Sequence, residues 1–166
     1  MATLLAFPVL ILLVMVQMVV ASNLMLLRGT ADLVMLVLIA WSLHERVRTA
    51  WLWAIIAGLL VSFVSAMPSL APLIGYLLVT AIARLLQRRM WQSPILAMFV
   101  TTVAGTLIFQ LLSMISLILS GTPLPIRESL SLVVLPSALL NLLLSLPVYA
   151  LVSDMVSWVY PAEVEA

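Results

Sequence analysis

The sequence predicts an all-α integral membrane protein, a compact bundle of about six transmembrane helices. Of its 166 residues, 66% are hydrophobic and only 8% are charged, whereas soluble globular domains contain roughly 25% charged residues. A soluble fold of this size leaves about a third of its surface exposed, so it could not hide this much apolar area. The apolar residues form continuous blocks, which favours helices over the alternating strands of a membrane barrel.

Turn residues and charges divide the chain into six apolar blocks, at residues 2–21, 31–43, 51–66, 72–86, 94–119 and 130–159. A helix needs about 20 residues to cross the hydrocarbon core, with a range of about 17–25. The first, fifth and sixth blocks reach this length, and the third and fourth reach it with interfacial ends. The second block is too short for a straight crossing. We expect it to be buried among its neighbours or re-entrant.

These blocks predict one polytopic transmembrane domain over residues 1–160 and a short acidic cytoplasmic tail over residues 161–166. The first block lacks a preceding basic region and exceeds the usual ~7–15 apolar residues of a secretory signal. We therefore interpret it as a retained first span.

Arginine placement predicts the topology, because cytoplasmic loops carry an excess of basic residues. The arginines near the loops after the second and fourth blocks are Arg46, Arg48, Arg84, Arg88 and Arg89. Arg28 and Arg127 lie at the opposite block ends. Six crossings then place both termini in the cytoplasm; if the second block does not cross, the N-terminus changes side. We expect the first group to anchor the bundle at the anionic inner leaflet. For Arg84 and Arg88, docking to an acidic segment of a partner is the alternative.

The five tryptophans flank block ends, where interfacial aromatic residues belong. They are Trp41, Trp51, Trp53, Trp91 and Trp158. We expect them to lie at the membrane surfaces.

Two strips of small residues recur every four positions, each on one face of a predicted helix. They are Ala54, Gly58, Ser62 and Ala66 in the third block, and Ser93, Ala97, Thr101 and Gly105 in the fifth. Helices in a bilayer associate through close contact at small residues. The strips therefore predict either internal packing of this bundle or docking of a partner's helix, and spacing alone does not separate the two.

The sixth block carries a line of polar residues at period four on a leucine-rich helix: Ser137, Asn141, Ser145, Tyr149 and Ser153. Pro136 and Pro147 interrupt this helix and free backbone carbonyls. Because an unpaired amide in an apolar medium costs several kcal/mol by transfer estimates, we expect Asn141 to make an internal contact. The alternatives are a ligand cavity or a docking face, and Gln17 and Gln110 carry the same alternatives.

Asp32 opens the second block, four residues after Arg28. It is predicted to cap the helix, with Thr30 competing for that role, or to form a local ion pair with Arg28. Chemistry is otherwise sparse, since the chain has no cysteine and one histidine, His44 beside Glu45. Three or four converging ligands for a metal, or a nucleophile with its base, are not recognisable. We therefore expect no enzyme and no cofactor.

Nearly the whole chain resembles the bacterial rod shape-determining protein MreD family. The resemblance is carried by Gln17 in the first helix, by GTADLVMLVLIAWSL, by IIAGLLVSF with MPSLAPLIGYLL (Gly58, Pro68, Tyr76), by RLLQRRMWQSPIL, and most closely by LPSALLNLLLSLPVYAL (Pro136, Ser137, Asn141, Pro147). The stretch LLVSF departs from the pattern, because many members carry an acidic residue there. Any role of that acid is not carried over to this chain.

The resemblance implies a non-enzymatic inner-membrane component of the peptidoglycan elongation machinery. Members of that family work with MreC, near the glycosyltransferase RodA, its penicillin-binding transpeptidase and the MreB filament. Their fold resembles the six-helix substrate-binding subunits of energy-coupling-factor vitamin transporters. Such a subunit is the alternative function, and it requires a polar-lined cavity near the outer side. The outer loops MPSLAP and SGTPLPIR offer few hydrogen-bonding side chains, which argues against it.

Overall fold

The computed structural model of the chain describes residues 2–23, 29–65, 70–89, 93–121 and 130–161, with the backbone only for residues 2–4, 20–23 and 130. The helices in these ranges are α1 Ala2–Asn23, α2 Leu33–Leu43, α3 Ala50–Val64, α4 Leu70–Arg89, α5 Pro94–Leu119 and α6 Leu135–Val159. A π-helical turn, Leu130–Val134, leads directly into α6. Several residues singled out from the sequence lie outside the described ranges, namely Arg28, Ala66, Pro68, Trp91 and Arg127.

Local chemistry sets the helix boundaries near those that the sequence predicts. Pro94 lies in the first turn of α5, where its fixed φ suits the helix and its missing N–H is not needed. After α5, Gly121 adopts a positive φ of 79°, a left-handed conformation that glycine takes without the steric cost of a Cβ. Each of the six apolar blocks thus contains one α-helix in the described part of the chain, and the all-helical prediction is confirmed.

The short helix α2 lies at the centre of the bundle. Every residue from Val34 to Leu43 is buried, and α2 contacts each of the other five helices. A helix that is apolar on all sides is stable when neighbours surround it. Of the two alternatives for the second block, the structure thus shows burial among its neighbours.

The surrounding helices expose apolar residues on their outer faces, including Leu12, Leu59, Leu107 and Leu143. Three helical segments are long and apolar enough to cross a membrane, Leu70–Arg89, Pro94–Leu119 and Ser131–Val159. Outward apolar faces on such helices are expected where lipid replaces water. The chain is accordingly a membrane protein with an all-helical fold.

The tryptophan prediction is wrong for two positions. Trp51 and Trp158 are exposed, and their position at a membrane surface stays a prediction. Trp41 and Trp53 are fully buried instead, with their rings stacked 4.3 Å apart between α2 and α3. Their positions near block ends were misleading because α2 is covered on every side, so its end lies inside the protein.

Candidate functional site

A group of polar side chains from four helices and the segment before α2 surrounds the start of α2. We call it the Asp32 cluster, and it comprises Gln17, Asp32, Tyr76, Thr106, Gln110, Ser137 and Asn141. Polar groups in an apolar setting are stable only when they satisfy one another. Their partners therefore decide what this cluster can do.

Asp32 is the N-cap residue of α2. Its Oδ1 atom accepts a hydrogen bond of 2.9 Å from the backbone N–H of Met35, which satisfies one of the free donors at the helix start. The Tyr76 hydroxyl, from α4, lies 3.2 Å from both carboxylate oxygens. The capping alternative is therefore the one observed, with Asp32 and not Thr30 as the cap. The proposed ion pair with Arg28 falls outside the described residues.

Asn141 joins α6 to both α2 and α5. Its Oδ1 atom accepts from the backbone N–H of Asp32 at 2.8 Å, and its Nδ2 atom donates to Thr106 Oγ1 at 3.0 Å. The Thr106 hydroxyl in turn donates to the carbonyl of Thr102. Asn141 thus makes the internal contact expected from the sequence.

Ser137 and Gln17 complete the cluster. The Ser137 hydroxyl accepts from the backbone N–H of Thr30 at 3.1 Å and from Gln110 Nε2 at 3.3 Å. Gln17 Oε1 accepts from the backbone N–H of Val34 at 2.9 Å, which ties α1 to the first turn of α2. Three backbone N–H groups at or before the start of α2 are therefore satisfied by side chains of distant helices.

Gly29 allows α6 to approach this segment closely. A Cβ atom at Gly29 would lie 2.6 Å from the backbone nitrogen of Ser137 and 2.7 Å from Cβ of Pro136, closer than real Cβ atoms approach. This requirement could not be predicted from the sequence, because an isolated glycine before a helix belongs to no periodic pattern and resembles an ordinary turn residue.

A cavity of about 420 Å³, which we call the Asp32 cavity, opens beside the cluster. Asp32, Gln17, Gln110 and Asn141 contribute polar atoms to its wall, together with apolar side chains such as Phe109. Pockets for small ligands are typically about 300–1,000 Å³, largely apolar with a few placed polar groups. A cavity with polar residues in its wall is therefore present although the outer loops offer few hydrogen-bonding side chains, because these residues belong mainly to helices.

The small-residue strips face the interior of the bundle at most of their described positions, while Ser93 is exposed. At Gly58 a Cβ atom would lie 2.7 Å from Cα of Leu73 on α4, and at Gly105 it would lie 3.2 Å from the side chain of Val79. The other strip residues that are fully buried are Ala54, Ala97 and Thr101, while Ser62 is half-buried and donates to the carbonyl of Gly58. Internal packing is the alternative that the structure supports. Helices of this chain already occupy the contacts at Gly58 and Gly105.

The polar line of α6 runs the length of α2. Below Ser137 and Asn141, Ser145 is buried and donates to the carbonyl of Leu142. Ser153 Oγ lies 3.0 Å from Nε2 of His44, the residue that follows α2. Pro136 is buried, whereas Pro147 is exposed. The line therefore holds both ends of α2.

The predicted inner-leaflet arginines lie at the end of the bundle opposite the Asp32 cluster. Arg84 donates to the carbonyl of Val47, and Arg46 donates to the carbonyl of Tyr160 at 3.4 Å. The exposed members of the group are Arg46, Arg48, Arg88 and Arg89. In the described part of the chain, one end of the bundle is thus basic, and the Asp32 cavity lies at the other end.

Comparison with protein-family models, with curated proteins and with solved structures finds no match for this chain. Its function is therefore inferred from the residues and contacts described above.

Proposed function

We propose that this chain is a non-enzymatic membrane scaffold of the cell-wall elongation machinery, of the kind that the MreD family provides. The observation that carries the proposal is the position of the polar residues that carry the resemblance. Gln17, Asp32, Tyr76, Ser137 and Asn141 are far apart in sequence, and all of them belong to the Asp32 cluster.

In this proposal the chain is a multi-pass protein of the bacterial inner membrane with six spans and a fold like that of energy-coupling-factor substrate-binding subunits. The arginine-rich end faces the cytoplasm, as do both termini. The Asp32 cavity then opens on the outer side. Support comes from the grouping of Arg46, Arg48, Arg84, Arg88 and Arg89 at one end of the bundle together with the positive-inside rule.

The scaffold acts through lateral contact with the transmembrane helix of MreC, with RodA and its penicillin-binding transpeptidase nearby. Since Gly58 and Gly105 pack internally, the contact with MreC belongs on an outward helix face. Loss of MreC binding after a bulky substitution at either glycine would therefore report damage to the bundle and would not locate the interface.

Photo-crosslinking from outward positions tests this contact. A photoreactive residue replaces Leu12, Leu59, Leu107 or Leu143, exposed residues on α1, α3, α5 and α6, in cells that produce MreC. We expect MreC adducts from one face and none from buried Leu36, which is 0% exposed. Absence of MreC adducts from all four helices would overturn the scaffold proposal.

Depletion in a rod-shaped host tests the role itself. Cells that lose the protein should become round, and the unaltered chain should restore the rods. Asn141→Leu, which removes two contacts of the Asp32 cluster, should restore them poorly, whereas Thr80→Val, at a buried residue outside that cluster, should restore them fully. Rods that persist after depletion would contradict the proposal.

The cavity favours a second candidate function, that of a substrate-binding subunit of an energy-coupling-factor type vitamin transporter. Its volume of about 420 Å³ lies within the range of small-molecule sites. Mass spectrometry of the protein purified in mild detergent would detect a retained vitamin-sized molecule. A retained vitamin, together with vitamin auxotrophy and normal cell shape after depletion, would favour this candidate over the scaffold.

A further inference from the structure

A second cavity, of about 630 Å³, lies at the basic end of the bundle. It is formed by the segment between α2 and α3, the first turn of α3 and the last turns of α4. The charged, amide and aromatic side chains that line it are Glu45, Arg48, Trp51, Arg84, Gln87 and Arg88. This cavity is separate from the Asp32 cavity and shares no lining residue with it.

The charges around this cavity are unbalanced. Among the described residues, three arginines and a single acid, Glu45, line it, which leaves an excess of two positive charges. Within the described part of the chain, neither Arg48 nor Arg88 pairs with an acidic side chain. Arg84 and Arg88 are four residues apart on α4, a spacing at which like charges repel. An anion between them would relieve that repulsion.

The chemistry of the lining suits a phosphate group. Arginine presents a planar array of N–H donors that matches phosphate oxygens. The Gln87 amide supplies further donors, and Arg84 is fixed by its hydrogen bond to the carbonyl of Val47. Several donors are thus gathered at one site before any ligand arrives.

The surroundings indicate that the phosphate belongs to a lipid. The cavity wall includes Leu85, which is 59% exposed, and Trp51, which is 47% exposed. Exposed Leu78 and Ile74 continue along α4 from Leu85 at helical spacing. A headgroup in the cavity would therefore have its acyl chains against an apolar helix face, whereas a free phosphate would leave that face unused.

We propose that this cavity is a binding site for the phosphate headgroup of an anionic membrane lipid. Basic pockets between transmembrane helices bind such headgroups in general. The site depends on Arg48, Arg84 and Arg88 together. Arg46 and Arg89 carry the same charge at the same end of the bundle but do not line the cavity.

Thermal unfolding in neutral detergent, with lipid titrated in, tests the proposal. We expect dioleoyl phosphatidic acid to raise the melting temperature saturably and dioleoyl phosphatidylcholine to leave it unchanged. The double variant Arg48→Gln/Arg88→Gln should bind the anionic lipid roughly 30-fold more weakly, as two lost charges near a membrane surface imply. Both side chains are exposed, so this variant should fold.

The matched control is Arg46→Gln/Arg89→Gln, which removes the same charge from the same two segments. It should bind like the parent protein, and Glu45→Gln should bind more tightly because it removes the one opposing charge. Equal weakening in both double variants would mean that only overall charge matters and would overturn the site. Equal stabilisation by inorganic phosphate would overturn the lipid as the source, and an equal response to phosphatidylcholine would overturn recognition of the anion.

Discussion

Buried hydroxyl groups show how single residues stabilise this bundle. Thr106 and Thr80 are both essentially unexposed. The Thr106 hydroxyl donates to a helix carbonyl and accepts from Asn141, while the Thr80 hydroxyl has no hydrogen-bond partner in the described part of the chain. A buried polar atom without a partner costs free energy, whereas replacing it by an apolar group of similar shape is nearly neutral or stabilising.

These two threonines form a matched pair for mutagenesis. Thr106→Val should lower the free energy of unfolding by about 1 kcal/mol, because it leaves the Asn141 amide without its acceptor. Thr80→Val should be neutral or stabilising. Steric-trap unfolding in bicelles would measure both. An equal loss in the two variants would contradict the assigned network.

His44 makes the stability of the protein depend on pH. Burial lowers the pKa of its imidazole, with the hydrogen bond to the Ala40 carbonyl acting in the opposite direction. The unfolded chain therefore binds a proton more readily than the folded one. The contribution of uncharged His44 to the free energy of unfolding is complete above the unfolded pKa of 6.5. It is lost as the pH falls through the lower folded pKa.

We accordingly expect the melting temperature of the protein to fall more steeply between about pH 7.5 and pH 5.5 than that of His44→Gln. The difference between the two curves separates the titration of His44 from that of the carboxyl groups. Parallel curves would show that His44 is not responsible.

Most members of the Asp32 cluster could be singled out from the sequence, but Thr106 was not, and the cluster was not predicted as a unit. Asp32 and Asn141 could be singled out because a charge or an amide is conspicuous among leucines. Tyr76 and Thr106 were not connected to them, since each fits an ordinary helix surface and the contact joins elements more than 30 residues apart. The pattern of residues along one helix does not show which side chain of another helix will contact it.

At the scale of elements, close approach of helix backbones determines the packing. The contact of α3 with α4 depends on Gly58, where Leu73 fills the space that a side chain would take. In a bilayer, such packing is a main source of helix association, because lipid competes equally for apolar surfaces. The period-four strip predicted a contact face correctly, and only the neighbouring helix was missing from the sequence information.

Gly58→Leu should therefore destabilise the bundle by about 1–3 kcal/mol or more, as overpacking does. Phe63→Leu, at a side chain that is 88% exposed on the same helix, should leave the melting temperature within error. Thermal unfolding in detergent would measure both. If Gly58→Leu were as stable as the parent, α3 and α4 could not pack as described.

At the scale of the whole molecule, the two ends of the bundle differ in chemistry. One end carries the exposed arginines and the other the Asp32 cavity. The helix lengths could be predicted from the apolar blocks, because the length of a continuous apolar stretch is visible in the sequence. The burial of α2 at the centre was only one of two alternatives, since shortness excludes a straight span but does not choose what covers the helix.

The chain contains no cysteine, so single introduced thiols report sidedness cleanly. Pro161→Cys lies at the basic end and Ser120→Cys beyond α5 at the other, and both positions are exposed. In right-side-out vesicles, a membrane-impermeant maleimide should label Ser120→Cys and not Pro161→Cys, with the reverse in inverted vesicles. Labelling of both variants from one side would refute this orientation.

The way α6 holds α2 has a consequence for biogenesis. With 11 residues, α2 is too short to partition into a membrane as an independent span. Side chains of α6 satisfy the backbone before it, through Ser137 and Asn141, and contact His44 after it, through Ser153. Helix α2 therefore reaches its final position only after α6 has been synthesised, and nascent chains that stop between α2 and α6 should be preferred substrates for membrane quality-control proteases.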